Sequence, residues 1–166
     1  MSHSITIEHV SVLSLQDFAA TTKDFESRIG KFDSEAVKAL ALPNPPLEEM
    51  RARIEAMAGS SGFMQFGRMQ TFGLLLPMAG KAPGKANQYL VGNPLIALQM
   101  VQHDLRVGLY VPLRVLLFED ANGKTHLEYD LPSSVLGQFQ NDQVNAVARM
   151  LDQKLDALIK AAAGLQ

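Results

Sequence analysis

Two alternating runs around one glycine-bearing turn constrain this chain more than any other feature. The runs are Leu113-Arg114-Val115-Leu116-Leu117-Phe118 and Thr125-His126-Leu127-Glu128-Tyr129-Asp130, with Asp120-Ala121-Asn122-Gly123-Lys124 between them. An aspartate opening a type I turn, followed by a glycine for the left-handed position, predicts a three-residue loop that pairs Asp120 with Lys124. That register sets Leu113, Val115 and Leu117 against Leu131, Tyr129 and Leu127 on one face. The other face carries Arg114 opposite Asp130, Leu116 opposite Glu128 and Phe118 opposite His126. A two-residue Asn-Gly loop would set Leu117 against Glu128, and a slip of one residue exchanges the faces. Cover for the apolar face is expected from the helix that closes the chain, about Asp142 to Ala163. Val144, Val147, Ala148, Leu151, Leu155, Leu158, Ile159 and Ala162 form its continuous stripe, and Gly164 is its stop.

Other elements follow from period and punctuation. Ile5 and Ile7 alternate with Thr6 and Glu8, which predicts a strand, and the phase shift at His9-Val10 suggests a bulge. Ser14 reads as the cap of a helix with Asp17 at its third position and Leu13 stapled on Phe18. Its stripe is Leu15, Phe18, Ala19, Thr22, Phe25 and Ile29, and Gly30 ends it. Residues 31–86 look like an elaboration. Asp33 starts a short helix through Leu40, Pro43-Asn44-Pro45-Pro46 breaks it, and a second helix carries Leu47, Met50, Ile54 and Met57 on one face. After the loop Gly59-Ser60-Ser61-Gly62, Phe63 to Arg68 reads as a strand. Residues 69–78 read as a turn and a short apolar strand, with Gly73 to Met78 taken as core. A loop, a strand at Gln88 to Val91 and a helix over 94–103 follow. Asn93 caps that helix, and Pro94 sits where its missing N–H costs nothing. The sum is an α+β fold: one mixed or antiparallel sheet with helices on one face and a long C-terminal helix.

Composition narrows the function classes. A chain of 166 residues suggests one domain over 1–166. Net charge is −2, with basic residues scattered, which argues against a nucleic-acid footprint. The absence of cysteine removes disulfides, thiolate metal sites and a cysteine nucleophile. No basic-then-apolar stretch opens the chain, so no signal peptide is expected. No apolar run approaches the roughly 18 residues of a membrane span. A cytoplasmic protein is the expectation.

The chemical candidates each have a plain structural reading. Gly80-Lys81-Ala82-Pro83-Gly84-Lys85-Ala86 resembles a phosphate-binding loop but has too few residues between its glycines and no hydroxyl at the end. His126, Glu128 and Asp130 share one face of a strand. His126 and Glu128 are the metal candidates, against the commoner polar hairpin face. His103-Asp104 lies at a helix C-terminus, where the dipole favours a protonated histidine. Asn93 caps a helix whose free N–H groups could receive an anion. Arg114 either pairs with Asp130 or turns to the same edge as Asn93, with Tyr110 as an aromatic wall. The candidate ligand-binding set is therefore Asn93, His103, Tyr110, Arg114 and Asp130, and no cofactor is predicted.

The runs Tyr89-Leu90-Val91-Gly92-Asn93-Pro94 and Gly108-Leu109-Tyr110-Val111-Pro112-Leu113-Arg114-Val115 carry a resemblance, with Glu119-Asp120, Asn122-Gly123 and Glu128-Tyr129-Asp130. Together they resemble domain of unknown function family 302 (DUF302), best over 88–160 and more weakly over 5–30. The resemblance implies a small α+β domain that often pairs into dimers, and it implies no established reaction. Relatives often have an acidic residue and a histidine after the second strand. This chain has Arg68-Met69-Gln70-Thr71-Phe72 there, so a site built on that histidine is not expected. The leading expectation is a homodimeric module that binds a small anionic ligand or a protein. The alternatives are an enzyme of unknown class using His103, Tyr110 and Arg114, and a metal or haem module using His103 or His126.

Overall fold

The computed structural model describes residues 4–165. One six-stranded sheet runs in the order β1-β6-β5-β4-β3-β2. Its strands are β1 (His9–Leu13), β2 (Gly30–Lys31), β3 (Met64–Met69), β4 (Ala86–Gly92), β5 (Leu113–Glu119) and β6 (Thr125–Asp130). Every pairing is antiparallel except β2 with β3. The helices are α1 (Phe18–Arg28), α2 (Leu47–Met57), α3 (Thr71–Leu75), α4 (Pro94–Val101), α5 (Pro132–Leu136) and α6 (Asp142–Ala162), with tighter 3-10 turns between them. This is the expected α+β architecture, closed by the long helix.

The hairpin has the register that its turn chemistry requires: Leu116 faces Glu128, Leu117 faces Leu127 and Phe118 faces His126. The Asp120 N–H donates to the Lys124 carbonyl at 2.8 Å. Its carboxylate accepts from the N–H groups of Asn122 and Lys124 at 2.8 and 2.9 Å, and Gly123 takes φ 76°. Val115, Leu117 and Leu127 are fully buried with Leu155 and Ile159 of α6 in one cluster. Tyr89 lies in the same cluster, and its hydroxyl donates to Glu26 at 2.8 Å. Burial, and then that carboxylate, push the tyrosine pKa far above its ordinary value.

Four local expectations are corrected. The first strand lies later than the Ile5–Ile7 alternation, at His9–Leu13, and its register on β6 is continuous, with no bulge. Its partner decides: Val10 meets Tyr129 and Val12 meets Leu127, the inward residues of β6, whereas Ile5 and Ile7 are exposed. The cap of α1 is Asp17, which accepts from the Ala20 N–H at 2.8 Å. Ser14 instead accepts from the Gln16 N–H at 3.0 Å and bonds the Thr21 hydroxyl at 2.8 Å. The helix therefore starts later and buries Thr21 and Phe25, leaving Leu15 exposed.

Residues 71–79 are helical rather than a core strand. Gly73 lies against the backbone of Gly84, where a Cβ would stand 2.0 Å from the carbonyl oxygen, and Phe72, Leu74 and Met78 face outward. Gly30 is the first residue of β2, not a helix cap, since Ile29 ends α1 in extended conformation. The glycine allows close approach: a Cβ on it would lie 1.7 Å from the Met57 carbonyl oxygen.

Candidate functional site

Alternate residues of the strands point away from the helices and make an open face. Across it, His9 stands opposite Asp130 and Leu90 opposite Arg114. Below them, Ser11 stands opposite Glu128, Glu128 opposite Leu116 and Leu116 opposite Gln88. Leu13, Met69 and Leu90 on this side are 45%, 44% and 36% exposed. The face therefore mixes apolar side chains with both signs of charge.

A cleft of about 370 Å³ opens at one corner, walled by Tyr110, Pro112 and Val135, with Leu90, Arg114 and Asp130 also lining it. Arg114 is 70% exposed, and its guanidinium stands 3.8 Å from the Asp130 carboxylate, so the pair is loose. Asp130 is held from the other side by His9 Nδ1 at 3.1 Å. His9 Nε2 lies 3.4 Å from Glu128, which also accepts from the Ser11 hydroxyl at 3.1 Å. The hydrogen bond to Asp130 is the main cause that raises the His9 pKa; partial desolvation opposes it and Glu128 adds to it. The Tyr110 hydroxyl donates to Gln138 at 3.3 Å, and its ring meets Phe139 edge-on at 5.9 Å.

The structure thus brings Tyr110, Arg114 and Asp130 to one cleft. Asn93 lies in a neighbouring apolar cavity. Its Oδ1 accepts from the Leu95 N–H at 2.9 Å and its Nδ2 donates to the Gly62 carbonyl at 3.0 Å, so both ends of the amide are engaged. His103 is exposed at the end of α4 and is not among the residues lining the cleft. Its neighbour in sequence, Asp104, caps the next turn. Asp104 accepts from the Arg106 backbone N–H at 2.9 Å and from its guanidinium, and the side-chain bond holds its carboxyl below the usual range. His126 and Glu128 do not converge. His126 bonds Asp120 at 3.1 Å and stacks on Phe118 with ring centres 5.2 Å apart. Among the described residues, no group of three or more His, Asp or Glu side chains could hold a metal ion. No helix there is long and apolar enough to cross a membrane.

Chemically, the cleft offers one accessible guanidinium, one carboxylate and an aromatic hydroxyl on apolar walls. Its lining holds no serine, threonine or histidine, so among the described residues no aliphatic hydroxyl and no imidazole stand in it. Sequence reasoning assigned His9 to a bulge and missed its place between two carboxylates. The only signal was the alternation of charge along β6, which does not reveal that β1 would lie beside it.

A model of the family described as domain of unknown function DUF302 matches residues 39–162. Among solved structures, the chain is similar to an uncharacterized conserved DUF302 protein from Bacillus stearothermophilus, with a TM-score of 0.65 and 16% identity. That similarity covers 93% of this chain and 97% of the other, and at such identity it concerns the fold alone. Comparison with curated proteins gives no match.

Proposed function

The chain belongs to the DUF302 family of domains of unknown function, and from that premise we propose that it is a homodimeric binding module whose ligand is small and anionic. The observation that carries this reading is the uncovered sheet face. Exposed leucines beside Phe118, Arg114, His9 and two carboxylates make a surface of moderate polarity, as interfaces often are. A second copy fits it by charge, because a two-fold axis can set the Arg114 of one chain near the Glu128 or Asp130 of the other. The Arg114 cleft sits at the corner of that face, and the loose ion pair leaves the guanidinium free to turn to a carboxylate or phosphate. The enzyme reading with His103, Tyr110 and Arg114 has less support, since His103 lies outside the cleft. A cysteine-free chain fits a cytoplasmic setting.

Light scattering after gel filtration tests the pairing, with twice the chain mass expected at micromolar concentration. Calorimetric titration with inorganic phosphate and with acetate tests the ligand class, and Arg114→Ala should abolish any heat. A monomer by mass, together with no heat from either anion, would remove the proposal.

A further inference from the structure

The other side of β5 carries a second cavity that the reading above does not use. It has a volume of about 240 Å³, and its lining includes Phe32, Phe66, Ile96, Ala97, Met100 and Leu151, with Asn93, Pro94, Val111 and Pro112. No charged side chain lines it. Its one polar side chain, Asn93, already makes hydrogen bonds at both ends. Pro94 and Pro112 have no N–H to give. The space is open to solvent on one side, and water lying on its apolar walls finds few polar partners there. Phe32 and Phe66 stack with centres 4.5 Å apart and planes 26° from parallel, which gives one wall a flat aromatic surface.

We infer that this cavity is a binding site for an uncharged, flat apolar molecule, of the class of a one- or two-ring aromatic. An apolar cavity of roughly 150 Å³ is enough to take up benzene, so the larger space here accepts a fused ring. Apolar walls give binding energy by removing the ring from water, and the phenyl pair adds offset or edge contacts. A carboxylate on the ligand would be desolvated without a partner. This separates the site from the Arg114 cleft, although the two share Val111, Pro112 and Leu113 as a wall. Successive strand residues point to opposite faces, so Leu113 closes the apolar cavity while Arg114 serves the other side.

The chain has no tryptophan, so the fluorescence of added indole can be read without an indole signal from the protein. Titration with indole should give a saturable blue shift with one site per chain, and indole-3-acetate should bind at least about tenfold more weakly. Ala97→Phe puts a ring into the cavity and should weaken indole at least about tenfold, while Arg114→Ala should leave it unchanged. If Ala97→Phe does not fold, Phe32→Leu decides, because it removes half of the aromatic wall at a half-buried position and should weaken indole binding. A shift that does not saturate overturns the site. So does equal binding of the carboxylate, or indole binding that survives the folded variants or disappears with Arg114→Ala.

Discussion

The two faces of the sheet are built from the same strands and differ in almost everything else. On the helix side, Val115, Leu117, Leu127 and Tyr89 are fully buried, and the one phenol among them has its hydroxyl bonded to Glu26. On the open side, leucines a third or more exposed alternate with His9, Arg114, Glu128 and Asp130. Period two makes such a division inevitable in a strand, but it does not dictate that the second face should keep its leucines. A face meant only for water has no physical need of them. The buried side therefore specifies the fold, and the open side is the one on which the proposed pairing rests.

The contrast can be tested by damaging each side. Leu155 is fully buried under the sheet, and Leu155→Ala should cost about 2–5 kcal/mol through lost burial and an unfilled cavity, read as a lower urea midpoint. Asn93→Ala, at the start of α4, loses a helix cap and should cost about 1 kcal/mol. Leu116→Glu on the open face should change monomer stability by less than about 1 kcal/mol, yet give a single-chain mass in light scattering. If that variant unfolds as badly as Leu155→Ala, the distinction between the faces fails.

The smallest effect belongs to His9. Its pKa is raised in the folded protein from an ordinary 6.5, so its contribution is fully present below that value. It fades as pH rises through the higher folded value. Urea midpoints of the natural protein should fall slightly across that window, and His9→Gln should flatten the slope. Because His9 is more than half exposed, solvent screening keeps the change small.

What the sequence disclosed follows the range of the forces involved. The hairpin register was legible because the turn and the alternation both lie within residues 113–131. α6 was legible because 21 residues repeat one stripe. The run Thr71 to Ala79 was misread because a short apolar stretch has no period that separates helix from strand. The contact of Gly73 with Gly84, which fixes the helical path, lies outside that window. β1 was placed too early because its register is set by a strand far along the chain. The cleft was half visible, since Tyr110 and Arg114 are neighbours in sequence. The apolar cavity was invisible, because Phe32, Phe66, Ile96 and Leu151 share no local pattern.

The pairing of β1 with β6 has a consequence for the order of assembly. His9 and Asp130 are 121 residues apart, whereas the hairpin of β5 and β6 closes across one turn. During synthesis, which runs from the N-terminus, the first strand made has no partner until almost the whole sheet has left the ribosome. The hairpin can form at once, and the closure entropy of the long loop falls on β1. Until β1 docks, the outer edge of β6 is an unpaired strand edge open to other chains. Slow refolding and concentration-dependent loss of yield should then trace to the arrival of this first strand, and not to the hairpin that shapes the cleft.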